Sequence, residues 1–94
     1  MRILIIEDDQ ELAKALSECL SAEGIVSDIC NDGETGSYIA RTNTYDVIVV
    51  DNILPKKSGL SICRDLRNSN IKSPILVMSV HGEVETKVDF LEAG

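Results

Sequence analysis

Three aspartates close to the ends of apolar runs are the residues of this chain best suited to chemistry. Asp8 and Asp9 follow the run Ile3–Ile6, and Asp51 follows the run Val47–Val50. Clustered carboxylates repel one another unless a cation neutralises them, and oxygen ligands without a nearby histidine or cysteine cluster favour Mg²⁺ or Mn²⁺. A carboxylate beside such an ion can attack a phosphoryl group as a nucleophile. If the fold brings the three together, the expected chemistry is formation of a phosphoaspartate.

The apolar runs themselves are typical of strands in a parallel sheet. Val47–Val50 is short and rich in β-branched residues, which indicates a strand buried on both faces. Such a strand delivers the next side chain to the carboxyl edge of the sheet, where open α/β sheets place their sites. The run Ile75–Met78 has the same form and ends in Ser79, whose hydroxyl can donate to a phosphoryl oxygen. Simpler interpretations exist, since Asp51 can follow a strand into a surface turn and Asp9 can cap a helix.

Strand and helix patterns alternate along the whole chain. The predicted strands are residues 3–6, 25–30, 47–50 and 75–78, and the predicted helices are residues 10–23, 34–42, a segment from Leu60 to Leu66, and 83–93. The helix over 34–42 is the least certain, because Gly36 and Ser37 weaken it. Strands that alternate with helices imply right-handed crossovers and a parallel sheet covered on both faces, so the fold class is α/β.

Composition limits the function classes. The chain has 94 residues, which suits one small domain, and its formal net charge of -7 argues against a grip on nucleic acid by this segment. Cys19, Cys30 and Cys63 lack metal-ligand spacing, and we expect them to be reduced and buried. A secretion leader and a run of membrane-spanning length are both missing from the pattern, so we expect a soluble, cytoplasmic domain.

Several segments give the chain a strong resemblance to the receiver domain of two-component response regulators, in particular the winged-helix transcription-factor branch. The segments are residues 3–9, the Asn31-Asp32-Gly33 turn, residues 45–55 with Ser58-Gly59-Leu60, residues 74–79 and residues 90–94. Their combination is far more specific than any one match. The resemblance implies a flavodoxin-like receiver fold with four parallel strands in the order 2-1-3-4 and four helices.

The resemblance also assigns roles to individual residues. Asp51 resembles the phosphoacceptor, and Asp8 and Asp9 resemble the acidic pair that holds Mg²⁺ together with Asp51. The backbone carbonyl of Ile53 resembles a further metal ligand. Ser79 is similar to the hydroxyl residue that contacts the phosphoryl group during activation. The implied phosphodonor is a sensor histidine kinase, and the implied output is transcription regulation through a DNA-binding domain that these residues do not include.

Two residues after Ser79 bear on this assignment. Val80 stands where the family usually has a smaller residue, so its branched side chain predicts slower phosphoryl turnover than in a Val80→Ala variant. His81 either lines the mouth of the site or lies in a solvated loop.

The resemblance further implies that residues 1–94 are an incomplete receiver domain, without a fifth strand and helix. Relatives carry on that strand a lysine that pairs with phosphoryl oxygens. Lys56, Lys57 and Lys87 fit solvated positions and are not expected to replace it. A bare fourth strand predicts reduced stability and either pairing with a second copy or exchange of elements through Ile75 to Met78.

Two alternatives to a receiver remain open at the level of sequence. One is a Mg²⁺-dependent phosphatase with an aspartyl nucleophile, which is disfavoured because Ile53 stands two residues after Asp51, where such enzymes need a second acid. The other is an interaction module that binds its partner without phosphorylation. Neither a receiver nor such a module is an enzyme that turns over a separate substrate.

Overall fold

The fold is an α/β arrangement with one parallel sheet. The computed structural model describes residues 1–51, 54 and 56–78. Its strands are β1 (Arg2–Ile6), β2 (Val26–Cys30), β3 (Val47–Asp51) and β4 (Ile75–Met78), and its helices are α1 (Gln10–Ala22), α2 (Gly33–Thr42) and α3 (Gly59–Asn68). The sheet is parallel throughout, in the order β2-β1-β3-β4, which confirms the predicted order. The fourth predicted helix, over residues 83–93, lies outside the described residues.

Each described helix begins at a side-chain cap. The Asp9 carboxylate accepts a hydrogen bond from the backbone N–H of Leu12 at the start of α1. Asp32 and Ser58 do the same for α2 and α3. Such caps satisfy backbone donors that have no partner inside the helix. The first helix therefore begins immediately after the acidic segment that ends β1.

The two faces of the sheet are covered by different helices. Leu4 and Ile6 belong to the larger core cluster, which includes residues of α2 and α3. Ile3 and Ile5 point the other way and pack with Ala13 of α1. Because alternate residues of β1 enter the two clusters, this strand is buried on both faces, as the apolar run predicts.

The cysteines differ from expectation in one respect. All three are free thiols, but only Cys30 and Cys63 are buried, and Cys19 is exposed on α1. The prediction of burial was therefore wrong for Cys19. Separately, none of the helices in the described part of the chain has the length and apolar character needed to cross a membrane.

Candidate functional site

The register of the sheet brings two acidic strand ends side by side. Ile6, the last residue of β1, pairs with Val50 of β3. The residues that follow them, Glu7 and Asp51, therefore occupy neighbouring positions at the carboxyl edge of the sheet. This is the edge at which open parallel sheets place their sites.

Three carboxylates converge at this edge. Glu7, Asp8 and Asp51 each offer an oxygen atom, and these atoms lie within 4.8 Å of one another. Glu7 and Asp51 are only 1% and 4% exposed, whereas Asp8 is exposed. The cluster is therefore closed on the side of the sheet and open to solvent at Asp8.

Glu7 has an environment that opposes its ionisation. The pKa of Glu7 is raised to about 7, and burial is the largest cause. The neighbouring Asp8 and Asp51 carboxylates also contribute to this increase, whereas the hydrogen bond from the backbone N–H of Asp9 opposes it. The second oxygen, Oε1, is buried and accepts no hydrogen bond from any residue that the structure describes.

This donor set fits a small, hard cation. Three carboxylates within reach of one ion suit Mg²⁺ or Mn²⁺, and a bound ion is one of the partners that satisfy a buried carboxylate oxygen without a protein hydrogen bond. A cation would also remove the repulsion that raises the pKa of Glu7. The residues present therefore fit the predicted metal.

The structure places Asp9 apart from this cluster. Its side chain accepts from Leu12 as the cap of α1, and its backbone N–H donates to Glu7 Oε2 at 3.1 Å. The cluster thus pairs Asp8 with Glu7 and not, as predicted, with Asp9. Glu7 was missed because three acidic residues stand in succession. The signal that distinguishes them is the end of the apolar run, since Glu7 follows Ile6 as Asp51 follows Val50.

The other residues singled out in the sequence, Ile53, Ser79, Val80 and His81, lie outside the described residues, so their roles stay predictions. Of the predicted set, the structure brings Asp8 and Asp51 together and adds Glu7.

Comparisons with known proteins show which family this chain resembles in sequence. A family model described as the response regulator receiver domain matches residues 3–94. The transcriptional regulatory protein CusR of Escherichia coli is 37% identical over 94 residues, which are all of this chain and 41% of that protein. The chain spans about two fifths of the length of curated relatives of this kind.

Solved structures give the same result. The Francisella response regulator 1452 receiver domain superimposes with a TM-score of 0.85 at 31% identity, over 99% of this chain and 77% of that chain. The response regulator TrrA of Thermotoga maritima, solved in complex with Mg²⁺ and BeF, gives a TM-score of 0.80 at 26% identity, over 86% of this chain and 70% of that chain.

Proposed function

We propose that this chain, which belongs to the family of response regulator receiver domains, accepts a phosphoryl group on Asp51 in a reaction that depends on Mg²⁺. The observation that carries the proposal is the convergence of Glu7, Asp8 and Asp51 at one edge of the sheet. The complex of the relative TrrA with Mg²⁺ and BeF supports the same metal here.

The residues of this chain have distinct parts in the proposed reaction. An Asp51 carboxylate oxygen forms a bond to phosphorus while the bond from phosphorus to the donor breaks, and the leaving group departs with the electron pair. The product is an acyl phosphate on a side chain that is almost fully buried. Glu7 and Asp8 would hold the ion, and the backbone N–H of Asp9 orients Glu7. Bound Mg²⁺ supplies positive charge for the oxygens of the transferring group.

The signalling role is part of the same proposal. The donor is the phosphohistidine of a sensor histidine kinase, and phosphorylation shifts a two-state equilibrium that an output surface reads. The relative CusR is a transcriptional regulatory protein. We therefore infer that the whole protein regulates transcription in the cytoplasm, through a DNA-binding part outside these residues. The receiver changes only itself and is not an enzyme with a separate substrate.

A small phosphodonor tests the proposal. We expect acetyl phosphate with Mg²⁺ to add one phosphoryl group to the chain, measured by intact-protein mass spectrometry, and we expect a chelator to prevent this. Asp51→Asn should remain unmodified, whereas Asp9→Asn, which keeps a capping oxygen, should be modified like the parent chain.

Two results would count against it. Equal modification of Asp51→Asn would place the acceptor elsewhere. Continuous release of inorganic phosphate, without an accumulating acyl phosphate, would instead support the phosphatase alternative.

A further inference from the structure

The backbone of Glu7 is held at both of its polar atoms by the end of β2 and the residue after it. Its N–H donates to the Cys30 carbonyl oxygen at 2.9 Å, which continues the pairing of β1 with β2. Its carbonyl oxygen accepts a hydrogen bond from the side-chain amide of Asn31, at 3.0 Å. Glu7 is only 1% exposed, so bulk water does not easily replace a hydrogen bond lost at this carbonyl. The Asn31 side chain therefore supplies a donor at the point where β2 has ended.

Asn31 is itself held on both sides in the chain. Cys30, directly before it, is the last residue of β2 and pairs with β1. Asp32, directly after it, caps α2, because its carboxylate accepts a hydrogen bond from the backbone N–H of Thr35 at 2.8 Å. The backbone of Asn31 therefore has little freedom, and its amide reaches the Glu7 carbonyl from a fixed position.

The orientation of the Glu7 carbonyl determines where Asp8 lies. A peptide group is planar, so the Cα atom of Asp8 lies in the plane of this carbonyl. Asp8 belongs neither to β1 nor to α1, and it is the exposed member of the acidic cluster. Its carboxylate therefore moves when this peptide group turns, whereas Asp51 is fixed as the last residue of β3.

We propose that Asn31 is a positioning residue for the metal site of Glu7, Asp8 and Asp51. Its hydrogen bond holds the peptide group between Glu7 and Asp8 in the orientation that brings both carboxylates towards Asp51. Binding of Mg²⁺ then requires less ordering of the chain. Asn31 does not touch the metal or the phosphoryl group. The inference rests on the proposed function, because it assumes a cation at these three carboxylates.

Asn31→Asp gives the sharpest test, because its two effects on Mg²⁺ binding have opposite directions. The new side chain has the same shape, but a carboxylate has no N–H, and its oxygen would repel the Glu7 carbonyl oxygen. It also adds a negative charge close to an acidic site, so the field alone would strengthen binding of a cation. Positioning predicts instead that the Mg²⁺ dissociation constant rises by about three- to tenfold, toward the lower end of the losses seen when a group supporting a metal ligand is removed. The measurement is titration calorimetry with Mg²⁺ alone, at constant ionic strength.

Two further variants separate the hydrogen bond from the charge. Asn31→Leu removes the donor without adding a charge, and we expect it to weaken Mg²⁺ binding as well. Asn31→Gln keeps an amide donor on a longer side chain, so we expect it to bind Mg²⁺ more tightly than Asn31→Leu. A role in folding alone would not produce this order, because each titration reports on the folded chain. Thermal unfolding without metal checks that every variant folds, and Asn31→Asp with Asn31→Gln provides the test if Asn31→Leu does not.

Asn43→Asp is the matched control. The side-chain amide of Asn43 also donates to a backbone carbonyl, that of Ile39, at 3.1 Å, but it does so at the opposite end of α2 from Asn31. The variant therefore loses the same kind of hydrogen bond and gains the same charge. We expect it to lower the urea midpoint of the metal-free chain but to bind Mg²⁺ as tightly as the parent chain.

Three results would overturn the inference. Folded Asn31→Asp that binds Mg²⁺ at least as tightly as the parent chain would show only a field effect. Asn31→Leu with the affinity of the parent chain would show that the donor is not needed. Equal weakening in Asn43→Asp would show that the effect does not depend on the hydrogen bond to Glu7. In all three cases the parent chain still binds Mg²⁺ and the proposed function stands, whereas a parent chain that binds no Mg²⁺ would remove both.

Discussion

Glu7 is a buried acid at a point where the fold supplies other acids but, among the described residues, no positive partner for its Oε1 atom. Burial and the neighbouring carboxylates both favour its protonated form, and the pKa is raised from 4.5 to about 7. A metal-free chain thus holds unfavourable charge at this edge when the carboxylates are ionised. Binding of a cation would relieve this repulsion. Ionised Glu7 therefore destabilises the metal-free chain, whereas it would provide a ligand oxygen in the metal-bound chain.

The pH dependence of stability should reveal this property of Glu7. Because its folded-state pKa lies above the unfolded value, its contribution to stability is fully present below about pH 4.5 and is lost as the pH rises through 7. We expect metal-free Glu7→Gln to be more stable than the parent chain at pH 8 by roughly 2–3 kcal/mol, and by much less at pH 5. Urea unfolding at both pH values in the presence of a chelator measures the difference.

Glu18→Gln is a suitable control, since Glu18 is exposed on α1 and lies outside the acidic cluster. Its effect should be small and similar at both pH values. If the parent chain and Glu7→Gln differed in free energy of unfolding by the same amount at pH 5 and pH 8, the prediction of a raised pKa for Glu7 would be wrong.

The sequence allows part of this site to be predicted. Asp51 stands out because one acid alone follows its apolar run, whereas Asp8 is one of three successive acids that follow the run Ile3–Ile6. The choice between Glu7 and Asp9 could not be made in the same way. The choice depends on where the extended backbone of β1 ends and the cap of α1 begins. Glu7 and Asp9 lie on either side of this boundary and are only two residues apart.

At the scale of elements, α2 is a helix whose sequence has a weak helix propensity and which depends on tertiary packing. Its sequence contains Gly36 and Ser37, and it was the least certain predicted helix. Both residues are buried in the structure: Gly36 lies against Ile6 of β1, where an added Cβ has no space, and Ser37 donates a hydrogen bond to Asp65 of α3. The strands were predicted to within one residue because an apolar run bounded by polar residues depends little on such packing.

A Gly36→Ala substitution tests this explanation. An added Cβ would lie 2.7 Å from Ile6 Cδ1, and Ile6 is fully buried immediately before Glu7. Alanine favours the helix by about 1 kcal/mol relative to glycine, but overpacking of this kind usually costs about 1–3 kcal/mol. We expect a net loss of stability, measured as a lower urea midpoint with an unchanged slope.

The second variant in this test is Ile6→Ala, which removes the three side-chain atoms that would lie within 2.9 Å of the added Cβ. We expect Gly36→Ala to destabilise the Ile6→Ala background less than the parent chain, because these close contacts are gone. A stabilising effect of Gly36→Ala in the parent chain would mean that α2 can move away from β1 at little cost, so its small residues would need another explanation.

At the scale of the whole molecule, the two edges of the sheet differ in their charges. At the amino edge, Arg2 forms an ion pair with Asp28 at 2.7 Å, and the hydroxyl of Tyr45 donates to the same carboxylate. These hydrogen bonds, that of Tyr45 first, lower the pKa of Asp28. The carboxyl edge instead gathers like charges at Glu7, Asp8 and Asp51. Opposite charges are paired at one edge, whereas like charges are gathered at the other, and clustered like charges are an arrangement that favours binding of a cation.

The net charge of -7 affects every measurement of metal binding, because any added salt screens the repulsion among the acidic residues.

Pairing of β4 with a second copy is a separate prediction at this scale, and it remains a prediction. β4 is the last strand in the order of the described sheet. Light scattering at increasing protein concentration would measure such pairing.

Mg²⁺ should stabilise the whole fold, because the cluster joins residues from β1 and β3 that are far apart in the sequence. Unfolding separates them, so the ion binds the folded chain alone and stabilises it by about 2.7 kcal/mol at a hundredfold excess over its dissociation constant. We expect the thermal unfolding temperature to rise continuously with Mg²⁺ concentration at constant ionic strength. Asp51→Asn should flatten this rise, and Asp9→Asn should leave it unchanged, because Asp9 lies outside the cluster. An equal rise with NaCl of matched ionic strength would mean that screening of the acidic surface, and not a site at this edge, produces the stabilisation.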